Sequence, residues 1–185
     1  MPRLGTIVGL ARTVLIALSG LLWAAAATSQ NASPAVHERA IAGEAFAVIV
    51  HPSTSATNMS LQQVRSIFLG EQQFWPGGDR VVLFVHAPGS VGREVALRQL
   101  YQMNEGEFKR YWIAKIFRDD LASGPKIVSS SALAKKLTAS IPGAIAIIPA
   151  SEVDETVHVL RIDHRLPGVE GYPLAAGPHG APTGG

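Results

Sequence analysis

Short apolar runs that alternate with segments of helical periodicity are the feature that most constrains the fold of this chain. Residues 45–50 are apolar and rich in β-branched side chains, and His51-Pro52 ends the run. Similar runs follow at residues 81–85, 126–128, 144–148 and 157–160. Runs of this length and composition are typical of buried strands.

The segments between these runs carry apolar residues at helical spacing. Ser60 is a good N-cap for a helix that Gly70 ends, and further helices are predicted after residue 90, over residues 105–117 and up to residue 140. Because strands separated by helices pack as a layered structure, we expect an α/β domain with a largely parallel sheet flanked by helices.

The amino-terminal segment has the pattern of an export signal. Arg3 and Arg12 precede an apolar run that continues through Ala27 and ends in small residues. This is the order of a secretory signal peptide, with cleavage after Ala26 or Ala27, and an uncleaved anchor is the alternative. We therefore expect a signal peptide over 1–27, a flexible lead-in over 28–43, the α/β domain over 44–165 and a disordered, Gly- and Pro-rich tail over 166–185.

The charge balance restricts the kinds of partner. The chain has 16 Lys and Arg against 14 Asp and Glu, and both excess cations lie in the predicted signal. The rest is neutral by composition and lacks the basic surface that nucleic-acid binding needs. The chain has no cysteine, so it has neither a disulfide nor a thiol for a lipid anchor. We expect a periplasmic or secreted product without a lipid anchor.

Three polar loops follow predicted strands and are the candidate ligand-binding segments: residues 53–58, 86–93 and 129–131. In parallel sheets, ligands bind beyond the carboxyl ends of the strands, where helices begin. A helix N-terminus presents unpaired N–H groups that suit an anion. The sequence thus predicts a small-anion site, with donors at His86, Gly89, Ser90, Gly92, Arg93, Ser55 and Ser130.

Each candidate also has a purely structural interpretation. Ser90 and Ser130 would serve equally as helix N-caps, and a histidine at the end of a buried strand commonly bonds a neighbouring carbonyl. His51 ends the earlier strand as His86 ends the later one, so the two could converge. The sequence has no nucleophile elbow, phosphate-binding Walker loop or metal-ligand cluster, so we predict a non-enzymatic protein without cofactor or metal.

Three separated strings resemble segments of the phosphate-type periplasmic substrate-binding proteins of ABC transporters. Residues 61–70 followed by 74–78 resemble the family's I-F-x-G and W-x-D-G segment, and residues 142–147 its P-G-A-I-G-Y strand. Residues 88–92 fall on its R-x-D-G-S-G-T phosphate loop, where Gly89 and Ser90 are kept. The family's arginine falls on His86, and Arg93 is the candidate replacement.

The resemblance covers about residues 45–165 and implies one lobe of a type II periplasmic binding protein fold. It further implies an exported domain that binds phosphate or a similar small anion, with an ABC transporter permease or another envelope protein as partner. The alternative is an interaction or accessory module that keeps the scaffold without binding a solute.

Overall fold

The structure, a computed structural model, describes residues 44–118 and 124–174. The predicted signal peptide, the lead-in and residues 175–185 of the predicted tail lie outside these ranges. The strands are β1 (Phe46–Val50), β2 (Asn58–Met59), β3 (Val82–His86), β4 (Lys126–Val128), β5 (Ala144–Pro149), β6 (His158–Val159) and β7 (Arg161–Ile162). The helices are α1 (Leu61–Phe68), α2 (Val91–Val95), α3 (Glu105–Phe117) and α4 (Ser131–Ser140), and α2 continues as a π-helix over Ala96–Tyr101.

The main sheet has five strands in the order β4-β3-β5-β1-β6. β3 pairs in parallel with β4 and β5, whereas β1 is antiparallel to both of its neighbours. Four strands therefore point the same way and β1 is reversed. The predicted α/β class with a mainly parallel sheet is confirmed.

The reversal of β1 moves one predicted loop to the other edge of the sheet. The N–H of His51, at the end of β1, donates to the carbonyl of Ala144 at the beginning of β5, over 3.1 Å. The loop 53–58 thus leaves the edge at which β3 and β5 begin. The expectation that it joins the loops after β3 and β4 is wrong, because a run of apolar residues does not encode its direction.

Helices cover both faces of this sheet. Alternate strand residues face α1, α2 and α3 on one side, where Val48, Val85 and Ile147 belong to one apolar cluster. Their neighbours face α4 on the other side, where Ile49 and Ile148 pack with Ala134. Since both faces are covered, the strands are apolar throughout, as the sequence indicated.

The turn into β5 depends on a glycine. Gly143 has a φ of +77°, and a Cβ at this position would lie 2.1 Å from the carbonyl oxygen of Arg80. The indole N–H of Trp75 donates to the carbonyl of Gly143 over 2.9 Å. The turn therefore holds the beginning of β5 against the segment that leads into β3.

The described domain extends beyond residue 165, where the sequence predicts a disordered tail. Leu174 is fully buried and Tyr172 nearly so, and the N–H of Phe46 donates to the carbonyl of Leu174 over 2.8 Å. The prediction of disorder is wrong for residues 166–174, because two large apolar side chains in a Gly- and Pro-rich segment are enough to hold it against the core.

Candidate functional site

The candidate site lies at the edge of the sheet where β3 and β4 end side by side. His86 is opposite Val128 in the parallel register, and the N–H of Ala87 donates to the carbonyl of Val128 over 2.9 Å. Ser90 and Ser130 follow these strand ends, and each is the N-cap of a helix. The N-termini of α2 and α4 therefore follow neighbouring strand ends, which is the arrangement that favours an anion in α/β proteins.

The two serine side chains are engaged as helix caps. Ser90 Oγ accepts from the N–H of Arg93 at 3.3 Å and donates to the carbonyl of Ala87 at 2.7 Å. Ser130 Oγ accepts from the N–H of Leu133 at 3.2 Å and remains exposed. Their role as N-caps is confirmed, and a further contact with a ligand stays a prediction.

The two glycines of the first loop have different structural roles. Gly89 is exposed and has a φ of +80°, a conformation that other residues rarely adopt. Gly92 is buried against the ring of His86, where a Cβ would lie 2.7 Å from the imidazole Cδ2. Gly92 is therefore needed for His86 to fit beneath the helix.

His86 faces into the protein. It is 4% exposed, and its Nε2 lies 2.8 Å from the carbonyl oxygen of Ile147 on the neighbouring strand β5. Because a carbonyl only accepts, Nε2 is the donor in this bond. The structural interpretation of His86 is thus observed, and its Nε2 proton is already in use.

Arg93 lies inside the fold and not on the surface of the loop. Its Nε and Nη2 donate to the two carboxylate oxygens of Glu105 over 3.0 and 3.1 Å, and its Cζ lies 3.7 Å from the centre of the Phe108 ring. The hydrogen bonds from Arg93 lower the pKa of the Glu105 carboxyl below its ordinary value. The guanidinium therefore has an internal anion, Glu105, in place of an external one.

The structure does not bring Ser55 to this site. Ser55 is exposed beside the turn at Gly77, where its Oγ would lie 3.7 Å from an added Cβ. It follows the reversed strand β1, and so does His51, whose Nδ1 lies 2.7 Å from Ser53 Oγ. Neither residue shares the edge that carries Ser90 and Ser130.

Sequence reasoning missed both the partner of Arg93 and a separate cavity. Glu105 is the residue after the Asn104 N-cap of α3, and only a tertiary contact reveals its pairing with Arg93. A cavity of about 330 Å³ lies near the beginning of β3, with Leu83 and Trp112 in its wall and none of the predicted site residues.

In residues 44–118 and 124–174, no three His, Asp or Glu side chains form a group that could hold a metal ion. No helix in these ranges combines the length and hydropathy required to cross a bilayer.

Comparison with known proteins identifies the fold. No protein-family model matches the sequence, and a search of curated proteins finds no match. Three solved structures are similar: a Clostridium perfringens protein described as a phosphate ABC transporter substrate-binding protein with bound phosphate, an ABC-type phosphate transport receptor from Vibrio cholerae, and PstS from Borrelia burgdorferi. Their TM-scores are 0.54, 0.55 and 0.56, with sequence identities of 23%, 15% and 18%.

The matches cover 67%, 69% and 72% of this chain but only 47%, 50% and 55% of the three neighbours, in the same order. The chain thus has the fold of phosphate-type periplasmic binding proteins and spans about half of their length. The resemblance that the sequence motifs suggested is confirmed at the level of fold.

Proposed function

We propose that this chain is an exported solute-binding domain that takes a small oxyanion, such as phosphate, at the edge where β3 and β4 end. The observation that supports the proposal is the pair of serine-capped helices, α2 and α4, that follow these two neighbouring strands. The donors are the hydroxyl of Ser130 and the backbone N–H groups around Gly92, because the hydroxyl proton of Ser90 is already donated to the carbonyl of Ala87. The fold neighbours, one of which carries bound phosphate, support the same class of ligand.

In this proposal the anion is bound by dipoles and not by a full positive charge. Arg93 is paired with Glu105, and His86 donates to Ile147, so neither supplies charge to the edge. Hydrogen bonds from neutral donors are weaker than charge-assisted ones. The expected affinity is therefore modest.

Isothermal titration with phosphate, sulfate and small carboxylates at pH 6 and pH 8 tests this proposal. S130A should weaken phosphate binding, and S60A is the matched control, because Ser60 caps α1 and loses a comparable cap without touching the site. Heat that is absent for every anion, together with an unchanged melting temperature, would refute solute binding.

A second candidate is an interaction module that keeps the scaffold without a solute. It is favoured by the engagement of both possible cations of the loop, His86 and Arg93, inside the fold. The same titration separates the two functions, since the module binds no anion at either pH.

An ABC transporter permease or another envelope protein is the proposed partner in both cases. The periplasm is the proposed compartment, and no catalytic step is proposed.

A further inference from the structure

The outer face of α3 is apolar, although the opposite face of the helix is already packed into the core. Ile113 is 65% exposed, Ile116 41% and Phe117 91%. Phe108 and Trp112 occupy the buried side. Residues spaced by three and four positions lie on one side of a helix, so Ile113, Ile116 and Phe117 form one continuous strip.

Cations accompany this apolar strip. Lys109 and Arg110 precede Ile113 by four and three positions, so they lie on the same side of the helix, and both are exposed. Arg110 forms no ion pair within the described part of the chain, whereas Lys109 Nζ lies 4.0 Å from Glu105. The Glu105 carboxylate is already paired with Arg93, so Arg93, Glu105 and Lys109 together keep a net positive charge.

We propose that this outer face of α3, comprising Lys109, Arg110, Ile113, Ile116 and Phe117, docks on a lipid surface that carries negative charge. A helix with large apolar side chains flanked by lysine and arginine is suited to the boundary between headgroups and acyl chains. The apolar side chains would enter the boundary, and the cations would remain at the level of the anionic headgroups.

The composition of the strip favours a membrane over a protein partner. Protein interfaces are depleted in lysine at their centre and rely on anchors that fill pockets. The strip carries Lys109 beside its apolar residues, and none of its five residues lines the cavity near the beginning of β3. A second copy of this chain would bring like charges together if the two strips met in parallel.

Vesicle binding tests the proposal directly. Intact-mass measurement first establishes that the parent protein and all variants have the same chain length. Each protein is then sedimented with vesicles of equal parts phosphatidylglycerol and phosphatidylcholine or with vesicles of phosphatidylcholine alone. We expect binding to the anionic vesicles that weakens between about 0.05 M and about 0.5 M NaCl, since salt screens exposed charges. Absence of binding to anionic vesicles at low salt would overturn the proposal.

Matched variants separate the strip from the rest of the protein. I113S/F117S should weaken binding roughly tenfold or more, because large apolar side chains no longer enter the bilayer. R110E should weaken it about 25-fold, from about fivefold for each unit of charge. The controls lie outside the strip: V169S removes an exposed apolar side chain, and K136E reverses an exposed charge. Both should bind like the parent protein.

A site-specific label provides a second measurement. The chain has no cysteine, so F117C and V169C can each carry one environment-sensitive fluorophore. Emission from position 117 should shift to the blue with anionic vesicles, and emission from position 169 should not. Equal shifts at both positions, unchanged binding of I113S/F117S, or a dimer in light scattering that F117S abolishes would each contradict the membrane assignment.

Discussion

Replacing Glu105 by glutamine tests whether the ion pair with Arg93 stabilises the domain. The substitution keeps the size of the side chain and removes its charge, which leaves a guanidinium that is 2% exposed without a counter-ion. Arg93 Nη1 already has no hydrogen-bond partner within the described residues. Stacking on Phe108 is therefore the main remaining compensation for the buried charge.

The expected loss follows from the burial of the two partners. Removing one member of a fully buried pair costs about 3–5 kcal/mol. The Glu105 side chain is 32% exposed, and glutamine still offers an amide oxygen to Arg93, so the estimate falls to about 2–3 kcal/mol. For a domain of this size the melting temperature should fall by about 4–12 °C.

Chemical denaturation and calorimetry of E105Q, R93M, the double variant and K109Q supply the measurement. K109Q removes the exposed, 4.0 Å partner of the same carboxylate and should cost less than about 0.5 kcal/mol. The double variant has no buried charge. Its free energy of unfolding should therefore fall by about 1–3 kcal/mol less than the sum of the losses in E105Q and R93M. Additive losses, or an E105Q protein as stable as K109Q, would refute the reasoning.

The pH dependence of stability provides a second test of the ion pair between Arg93 and Glu105. Because Arg93 holds the pKa of Glu105 below its ordinary value of 4.5, the unfolded chain takes up the proton first as pH falls. The stability difference between the parent protein and E105Q should be full above the ordinary pKa of 4.5 and should shrink as pH falls through the lower pKa of Glu105 in the folded protein. A difference that grows on acidification would contradict the assigned cause.

Three further substitutions test other parts of the structure. G92A should cost about 1–3 kcal/mol in denaturant unfolding, because the new methyl group displaces the His86 ring from its bond to Ile147. L174A should cost about 2–5 kcal/mol, and no measurable loss would show that the segment after residue 165 does not pack as described. In an NMR titration the Asp154 carboxyl should have a pKa of about 2, because Lys135 and Thr156 donate to it. K135M should raise this pKa towards the ordinary value, and an unchanged titration would remove Lys135 as the main cause.

The sequence predicts the elements well because each one is specified locally. The strand at Phe46–Val50 and the helix at Leu61–Phe68 lie close to the positions that apolar spacing and capping residues indicated. Ser60 caps its helix with the reciprocal bonds of a capping box, which is a property of four consecutive residues. Local patterns of this kind do not depend on the rest of the fold.

The candidate site is predictable only in part, because it depends on direction and on long-range pairing. Apolar periodicity is the same for a strand that runs either way, so it does not predict that the loop with Ser55 lies at the opposite edge from Ser90 and Ser130. The sequence predicts Arg93 as a cation at a helix start, and nothing in the spacing of 12 residues to Glu105 indicates that the two side chains pair. Ser90 and Ser130 are predicted correctly as N-caps because each cap depends on a few consecutive residues, whereas only the structure shows that the preceding strands β3 and β4 are neighbours.

The bond between Phe46 and Leu174 has a consequence for how such a domain can be connected to other chains. The first strand and the last described residues lie within one hydrogen bond of each other, so chain entry and chain exit are adjacent. A unit with adjacent ends can be spliced into a surface loop of a host protein, or linked to a companion unit by two neighbouring crossings, without opening its sheet. The adjacent ends of the described domain therefore suit it to insertion into another chain or to fusion with one.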